Sequence, residues 1–589
     1  MKRVIFWSLC ISVVAFLKLS GASQSTTEAP KFTSKTELVL VPTVVTDKRG
    51  EPVHGLTKEE VQIFEDKKEQ NISVFEEITT SQERPQSAPA QSPNEFTNRV
   101  TPSGTAARRL TIIAFDLINT PTLRQASARK QLLEFLSEMA NSGEPVAVYA
   151  ITQKGTQVVT DFTTDPKLLA SVLQKMKLDH GMTHTQSFEG KAHTTPFDTA
   201  NDTGGGIPSG SMNITAANAG EGDRAMALQA AMENFVGELE LNIGSAQTQH
   251  AVQYTLDGME QIAQACSAIP GRKALIWVTG GFPFDVNAGD MMYNPMPAKG
   301  MSPAGRAGLD EVLGLYLRLW RTLNDAQVAV YPIDVQGVMN PALADPSFRN
   351  RDPRVEPRAR SYMHQQTKDT DSTFAEATGG KAFYDSSDLK KGFAEAFKDS
   401  SSYYLIGYYI KPDPSKKIQW REIAVKSARH DVQIRARRGY FYNPTTADLH
   451  ITRDHDLSAG LYSPVDFTAI SMTVRWKGTA AGAATGKNET TFEVELPANF
   501  AQVDADDNNH MVFDIVAQAR TPDGRPVGEI FTRTLDAHLN PTQLEQVRER
   551  GMTYASQLEL PVGQYIVRFV VRDGLNGHMG SLAAPLKVQ

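Results

Sequence analysis

Asp116 closes an apolar run, Leu110 to Phe115, inside the stretch RRLTIIAFDLINT. A polar turn, Asn119-Thr120-Pro121, separates it from a helical pattern that runs from Leu123 to Met139. A carboxylate at the end of a short β-branched strand, just ahead of a helix, stands where open α/β sheets bind ligands. The groups offered are a carboxylate, an amide and a hydroxyl, which can hydrogen-bond or serve as hard oxygen donors. The plainer role is favoured: Asp116 caps the helix or holds the turn.

Other candidate chemistry is weaker. His180 and His184 are four residues apart, but Gly181 lies between them in a loop-like stretch, so metal ligation is not expected. Asp504, Asp506 and Asn508 open like a calcium loop, yet the glycine and the distal glutamate are missing. A solvated turn is the better reading. Thr378-Gly379-Gly380 reads as a helix C-terminus and not as a phosphate loop. Arg435-Ala436-Arg437-Arg438 alternates in a strand and reads as a solvated sheet face, with a patch for an acidic partner as the alternative. There is no Gly-x-Ser-x-Gly, no His-Glu-x-x-His and no P-loop. Without a visible nucleophile, base and orienter, no enzyme is expected.

The elements that must position these residues follow from periodicity. TELVLVPTVVTD, VQIFED and NISVFEEI make a small β unit over 36–78, too small to be stable alone. Residues 79–107, rich in Ser, Pro, Gln, Thr and Asn, read as a linker. From 108 to 400 strands alternate with helices, and Asp165-Pro166 forms a cap and first helical position. Long loops interrupt this region, an insertion at 180–221 and a Gly/Pro/Met-rich stretch at 282–305. Strands at 401–443 are expected to pair with the N-terminal unit. Regular short strands over 444–589 suggest a β-sandwich. The expected fold class is therefore α/β, a doubly wound and mostly parallel sheet with flanking β modules and a C-terminal β-sandwich.

With 589 residues the chain has room for several domains. Acidic residues number 67 and basic residues 60, a net charge of −7 that argues against a nucleic-acid partner. Lys2-Arg3, an apolar stretch from Val4 to Leu17 and the small residues Ser20-Gly21-Ala22 follow the order of a secretory signal peptide over 1–22. Residues 23–35 read as disordered. No membrane span is expected in the mature chain, and the destination is the periplasm, the cell envelope or the medium. Cys10 falls in the signal and leaves Cys266 alone, so no disulfide can form within the mature chain. Cys266, in a helical pattern, reads as a buried thiol.

VVTDKRGEPVHGLTKEEVQIFEDKKEQNISVFEEI, LTIIAFDLINT, IPGRKALIWVTGGF, VAVYPIDVQG, AEATGGKAFY, SSYYLIGYY and VQIRARRGYFY occur in that order. Together they resemble the von Willebrand factor type A-related proteins of Acidobacteria, over roughly 36–442. The resemblance implies a von Willebrand factor A fold and an exported protein, and no reaction. It also implies a metal-ion-dependent adhesion site for Mg²⁺ or Ca²⁺, built from Asp-x-Ser-x-Ser, a loop Thr and a later Asp. Asp116 and Thr120 match that pattern, and Thr183 (or Thr185) is the loop candidate. Ile118 replaces the middle hydroxyl, and Gly280 stands where the last carboxylate belongs. The site is thus degenerate: no cofactor is expected, and Mg²⁺ or Ca²⁺ is the alternative.

The expected function is an exported, non-enzymatic protein-interaction module of adhesion type. Its partner face is expected at Asn119, Thr185, Gly281 and Asp285, at the carboxyl ends of the strands. The partner is an unidentified protein. A metal-dependent adhesin, a structural envelope component and an enzyme with a loop-built site are the alternatives.

Overall fold

The structure is a computed structural model. It describes residues 37–79, 94–98, 110–138, 145–177, 250–282, 315–316, 318–337, 356–399, 402–411, 419–442, 447–482, 486–498, 500, 502–504 and 507–589.

Four strands, Leu110–Asp116, Val146–Thr152, Lys273–Thr279 and Val328–Asp334, are buried at every position. Strands without a polar face must be covered on both sides. In space the order is Val328–Asp334, Lys273–Thr279, Leu110–Asp116, Val146–Thr152 and the edge strand Gly155–Thr163. The first four pair in parallel and the edge strand returns antiparallel. On one face Ile112, Trp277 and Val330 share a core with Leu256 and Ile262 of helix 250–265, Leu319 and Trp320, and Phe374. On the other, Ile113, Ile276 and Tyr331 meet Leu132, Leu173 and Phe393 of three further helices. One of those, Pro166–Lys175, starts with proline, and Asp165 Oδ1 accepts from Lys167 N at 2.9 Å. Gly380 lets the chain pass the sheet: a Cβ there would stand 1.9 Å from the Val330 carbonyl oxygen.

Segments more than 300 residues apart build the next layer. Glu37–Asp47 pairs with Ser402–Ile410 and with Val432–Arg435, and Ile72–Thr79 completes that sheet on the far side of Ser402–Ile410. Gln419–Ser427 lies between Gly439–Tyr442 and Val61–Glu65, with Lys68–Gln70 at the edge. The two sheets share a core containing Val41, Ile63, Ile406 and Ile423. Buried Glu65 accepts from Arg421 Nη1 at 2.6 Å, Tyr408 OH at 2.7 Å and Tyr440 OH at 2.9 Å. Charged groups this deep persist only when paired and hydrogen-bonded.

Two more four-stranded antiparallel sheets form the C-terminal sandwich, around Phe492, Val494, Phe513, Ile515, Val567 and Phe569. Within 79–107, Glu95–Thr97 forms a strand on the edge of this sandwich, paired with Thr473–Ala481. Asn98 then anchors it, donating to the Phe467 and Ile470 carbonyls and accepting from Met472 N. Helix Pro541–Arg550 is capped reciprocally by Asn540 and Gln543.

The chain as a whole is not the doubly wound, mostly parallel α/β fold of the von Willebrand factor A kind that the alternation over 108–400 suggests. Among the described residues strand exceeds helix, 46% to 28%. Of the five sheets among the described residues, four are antiparallel throughout. The reason is arithmetic along the chain: only one stretch alternates strand with helix, while the ends contribute mainly strands. The Arg435–Arg438 run is likewise no solvated face. Arg435 pairs with Asp399, Arg437 Nη1 donates to Asn324 Oδ1 at 3.0 Å, and Arg438 pairs with Glu376. The run ties the N-terminal sandwich to the helices of the parallel sheet.

Candidate functional site

The carboxyl edge of the parallel sheet gathers polar side chains that the strands and their turns deliver together. Asp116 ends its strand fully buried. Its carboxylate accepts from Asn119 N at 3.0 Å, Asn119 Nδ2 at 2.7 Å and Thr279 Oγ1 at 3.1 Å. The same Asn119 amide donates to Thr255 Oγ1 at 2.9 Å, on helix 250–265. The turn is fixed from the other side by Gln125, whose Nε2 donates to the carbonyls of Leu117 at 3.0 Å and Thr120 at 2.7 Å. Thr120 is buried and its hydroxyl has no hydrogen-bond partner. Ile118 is fully buried in the core beneath. Burial pushes the Asp116 carboxyl above the usual carboxylate range, against the hydrogen bonds from Asn119 and Thr279.

Gly280 and Gly281 close the same edge. A Cβ at Gly280 would lie 2.5 Å from the Asn119 carbonyl oxygen and 3.0 Å from Thr120 Cα. No side chain fits there, so the missing carboxylate of an adhesion-type metal site is excluded by backbone packing and not merely by one substitution. Gly281 holds φ +110°, and a Cβ there would meet Thr367 of helix Glu356–Thr378 at 2.8 Å. Gln336 Nε2 donates to the Gly280 carbonyl.

Asp334 and Asp371 join this edge, and neither is among the residues picked from the sequence. Asp334 ends its strand as Asp116 does, and its Oδ1 accepts from Gln336 N at 2.8 Å. Its signal was the same apolar run ending in aspartate, in VAVYPID. Asp371 sits buried on helix Glu356–Thr378, and neither of its oxygens accepts a hydrogen bond. Burial, then the charges of Asp334 and Asp116, push the Asp371 carboxyl well above its ordinary range. A polar residue in a mostly polar helix gives no sign of that placement. Of the expected residues, the structure brings Asp116, Asn119, Thr120, Gly280 and Gly281 together. Thr183, Thr185, Asp285, His180 and His184 lie outside the described residues.

This arrangement can do little chemistry of its own. The Asp116 carboxylate already accepts three hydrogen bonds from groups of the chain. Among the described residues, no three His, Cys, Asp or Glu ligand atoms lie within 4.8 Å of one another at this edge. What the cluster does is fix the floor from which the loops after the strands depart.

No family model matches the chain, and no curated protein does. Among solved structures, it is similar to three N-terminal domains of the type V pili tip protein Mfa5 from Porphyromonas gingivalis. That match has 8% identity and a TM-score of 0.24, over 91% of this chain and 79% of that one. It is also similar to the pilus adhesin SpaC from Lactobacillus rhamnosus GG in its open conformation, at 8% identity and a TM-score of 0.25, over 87% of this chain and 56% of that one.

Proposed function

We propose that the chain is an exported, non-enzymatic binding protein of adhesion type, which recognises a protein partner through the loops at the carboxyl edge of its parallel sheet, without a divalent ion. The observation that carries this reading is the closed floor of that edge. Asp116 is fully buried with three internal hydrogen bonds, and the Asn119 carbonyl occupies the place of a side chain at position 280. Asp116 already accepts its hydrogen bonds from the chain itself, and among the described residues no activated nucleophile stands beside it. The floor does hold in place the exits of the long polar loops, whose Gly, Ser, Thr and Asn content suits recognition. The charged, apolar and small residues at 1–22 support export.

Calorimetric titration of the full chain with Mg²⁺, Ca²⁺ and Mn²⁺ tests the metal-independent part. No uptake that depends on Asp116 is expected. Sub-millimolar binding abolished both by Asp116→Ala and by the milder Thr120→Val, with the variants still folded by circular dichroism, overturns it in favour of a metal-dependent adhesin.

A further inference from the structure

The C-terminal sandwich carries a second, separate group of ligating side chains. His510 opens strand His510–Arg520, and His538 closes strand Pro526–His538. The two are direct partners in the antiparallel register, so their side chains share one face. Their rings stack at 4.6 Å between centroids and 14° between planes. Asp507 is brought over this pair by a tight reversal. Asn508 and Asn509 hold left-handed φ values of +48° and +58°, which asparagine tolerates. The base of the loop is pinned where Asp504 and His510 exchange backbone hydrogen bonds at 2.9 and 3.0 Å. Asn509 Nδ2 ties it to the Leu539 carbonyl at 3.2 Å.

The result is a carboxylate facing two imidazoles. Asp507 Oδ2 is 3.2 Å from His510 Nδ1, and Asp507 Oδ1 is 3.6 Å from His538 Nε2. One ligand atom from each of the three residues lies within 4.8 Å of the others. Ligand atoms around a tetrahedral zinc ion with bonds of about 2.0–2.1 Å stand about 3.4 Å apart, so small side-chain rotations suffice.

His510 supplies the deciding detail. Its Nε2 lies 2.8 Å from Asp536 Oδ1 while its Nδ1 faces Asp507. Carboxylates accept and do not donate, so a neutral imidazole can satisfy only one of these two neighbours. If Nε2–H donates to Asp536, the Nδ1 lone pair points at the lone pairs of Asp507, and only a cation between them makes the arrangement favourable. A carboxylate that holds the far nitrogen of a ligating histidine is the usual outer partner of a metal site.

We propose that Asp507, His510 and His538 bind a divalent transition-metal ion of the zinc type, with Asp536 orienting His510. Two nitrogens and one oxygen suit zinc and its neighbours, whereas Ca²⁺ and Mg²⁺ require oxygen donors. The site lies at the sandwich surface, with Asp507 and His538 substantially exposed, so its remaining positions are open to water or to a ligand from a partner. The ion clamps the 504–510 turn to the end of strand Pro526–His538. This site is independent of the parallel-sheet edge and of the reading given to it.

The test is titration of the metal-free full chain with ZnCl₂, read by calorimetry and by thermal shift. One equivalent of Zn²⁺ is expected to bind at micromolar concentration through these residues and to raise the Tm. Asp536→Asn is expected to weaken binding by roughly 10–100-fold, as loss of an outer partner does. The double variant His510→Ala/His538→Ala is expected to lose that equivalent, and millimolar Ca²⁺ to leave it in place. Zinc uptake unchanged in the double variant overturns the proposal, because the metal then binds elsewhere. Absence of Zn²⁺ uptake by the wild-type chain also overturns it.

Discussion

Glu260 offers a sharp test of how the layers are held together. It lies on helix 250–265, beside a charge network that joins the parallel-sheet layer to helix Ala447–Tyr462 and the C-terminal sandwich. Arg318 is 3.6 Å from Glu260, 3.6 Å from Asp456 and 4.0 Å from Asp257. Arg572 Nε reaches Asp456 at 2.9 Å. His455, which Arg318 also touches at 2.7 Å, adds no positive charge, since burial and Arg318 press its pKa down to about 4. Three carboxylates thus face two guanidinium groups. Burial above all, then the charges of Asp257 and Asp456, raise the Glu260 carboxyl from 4.5 to about 7, although Arg318 opposes this. Below pH 4.5 folded and unfolded chains both hold this proton, and the full contribution is present. Between 4.5 and 7 the unfolded chain releases it first, so stability falls as pH rises. Above 7 the loss is complete, about 3 kcal/mol at about 1.4 kcal/mol per pH unit. The side chain keeps 13% exposure, which trims the figure toward 2 kcal/mol. Glu260→Gln removes the titration. Urea unfolding, followed by tryptophan emission with Trp277 and Trp320 in the adjacent core, measures the difference between the two proteins. The variant is expected to gain about 2–3 kcal/mol on wild type between pH 4.5 and 8. An offset that stays constant, or moves the other way, refutes the reasoning and makes Glu260 an ionised partner of Arg318 throughout.

Two further outcomes follow from packing. Gly280→Ala places a methyl 2.5 Å from the Asn119 carbonyl oxygen and is expected to cost about 1–3 kcal/mol, read as a lowered urea midpoint; unchanged stability shows that the edge can yield. Cys266 is fully buried and its thiol is pushed up to about 12, chiefly by burial, so it is expected to resist a thiol-specific reagent at pH 8 until the chain unfolds; rapid labelling of the native protein contradicts this.

The legible parts of this sequence are those with a local signature. Leu110–Asp116 and Val328–Asp334 are continuous apolar runs and form fully buried strands. Asp165-Pro166 starts a helix as its chemistry requires. The alternating stretch 108–400 sets the α/β class in the sequence, although flanking strands and a C-terminal sandwich are also legible; the antiparallel sheets those strands build outweigh the parallel one. The roles of charged residues were hidden for a different reason. Arg435 and Arg437 meet partners 36 and 113 residues away, and a run of arginines looks the same whether it faces water or a neighbouring layer. The closure at Gly280 depends on where the Asn119 carbonyl points, which glycine alone does not reveal. His510 and His538 became a pair only through strand register, which two isolated histidines cannot announce.

These hidden contacts share one consequence. The parallel sheet is fastened to the N-terminal sandwich by Arg435, Arg437 and Arg438, and Arg272 N adds a bond of 3.1 Å to Tyr403 OH. On the C-terminal side the fastening is by Arg318, which reaches Asp456, and by Arg321, whose Nη2 donates to the Asn576 carbonyl at 2.7 Å. In both sets the arginine side-chain contacts are charge-assisted, and apart from the exposed Arg438–Glu376 pair they are at least partly buried; such contacts hold orientation more than they add stability. The parallel sheet is therefore tied to both sandwiches. Its carboxyl edge, with the closed floor around Asp116, is held at a set angle to the rest of the chain. Under the proposed recognition, a floor held in this way would need no reorganisation on binding, which would lower the entropy lost on association.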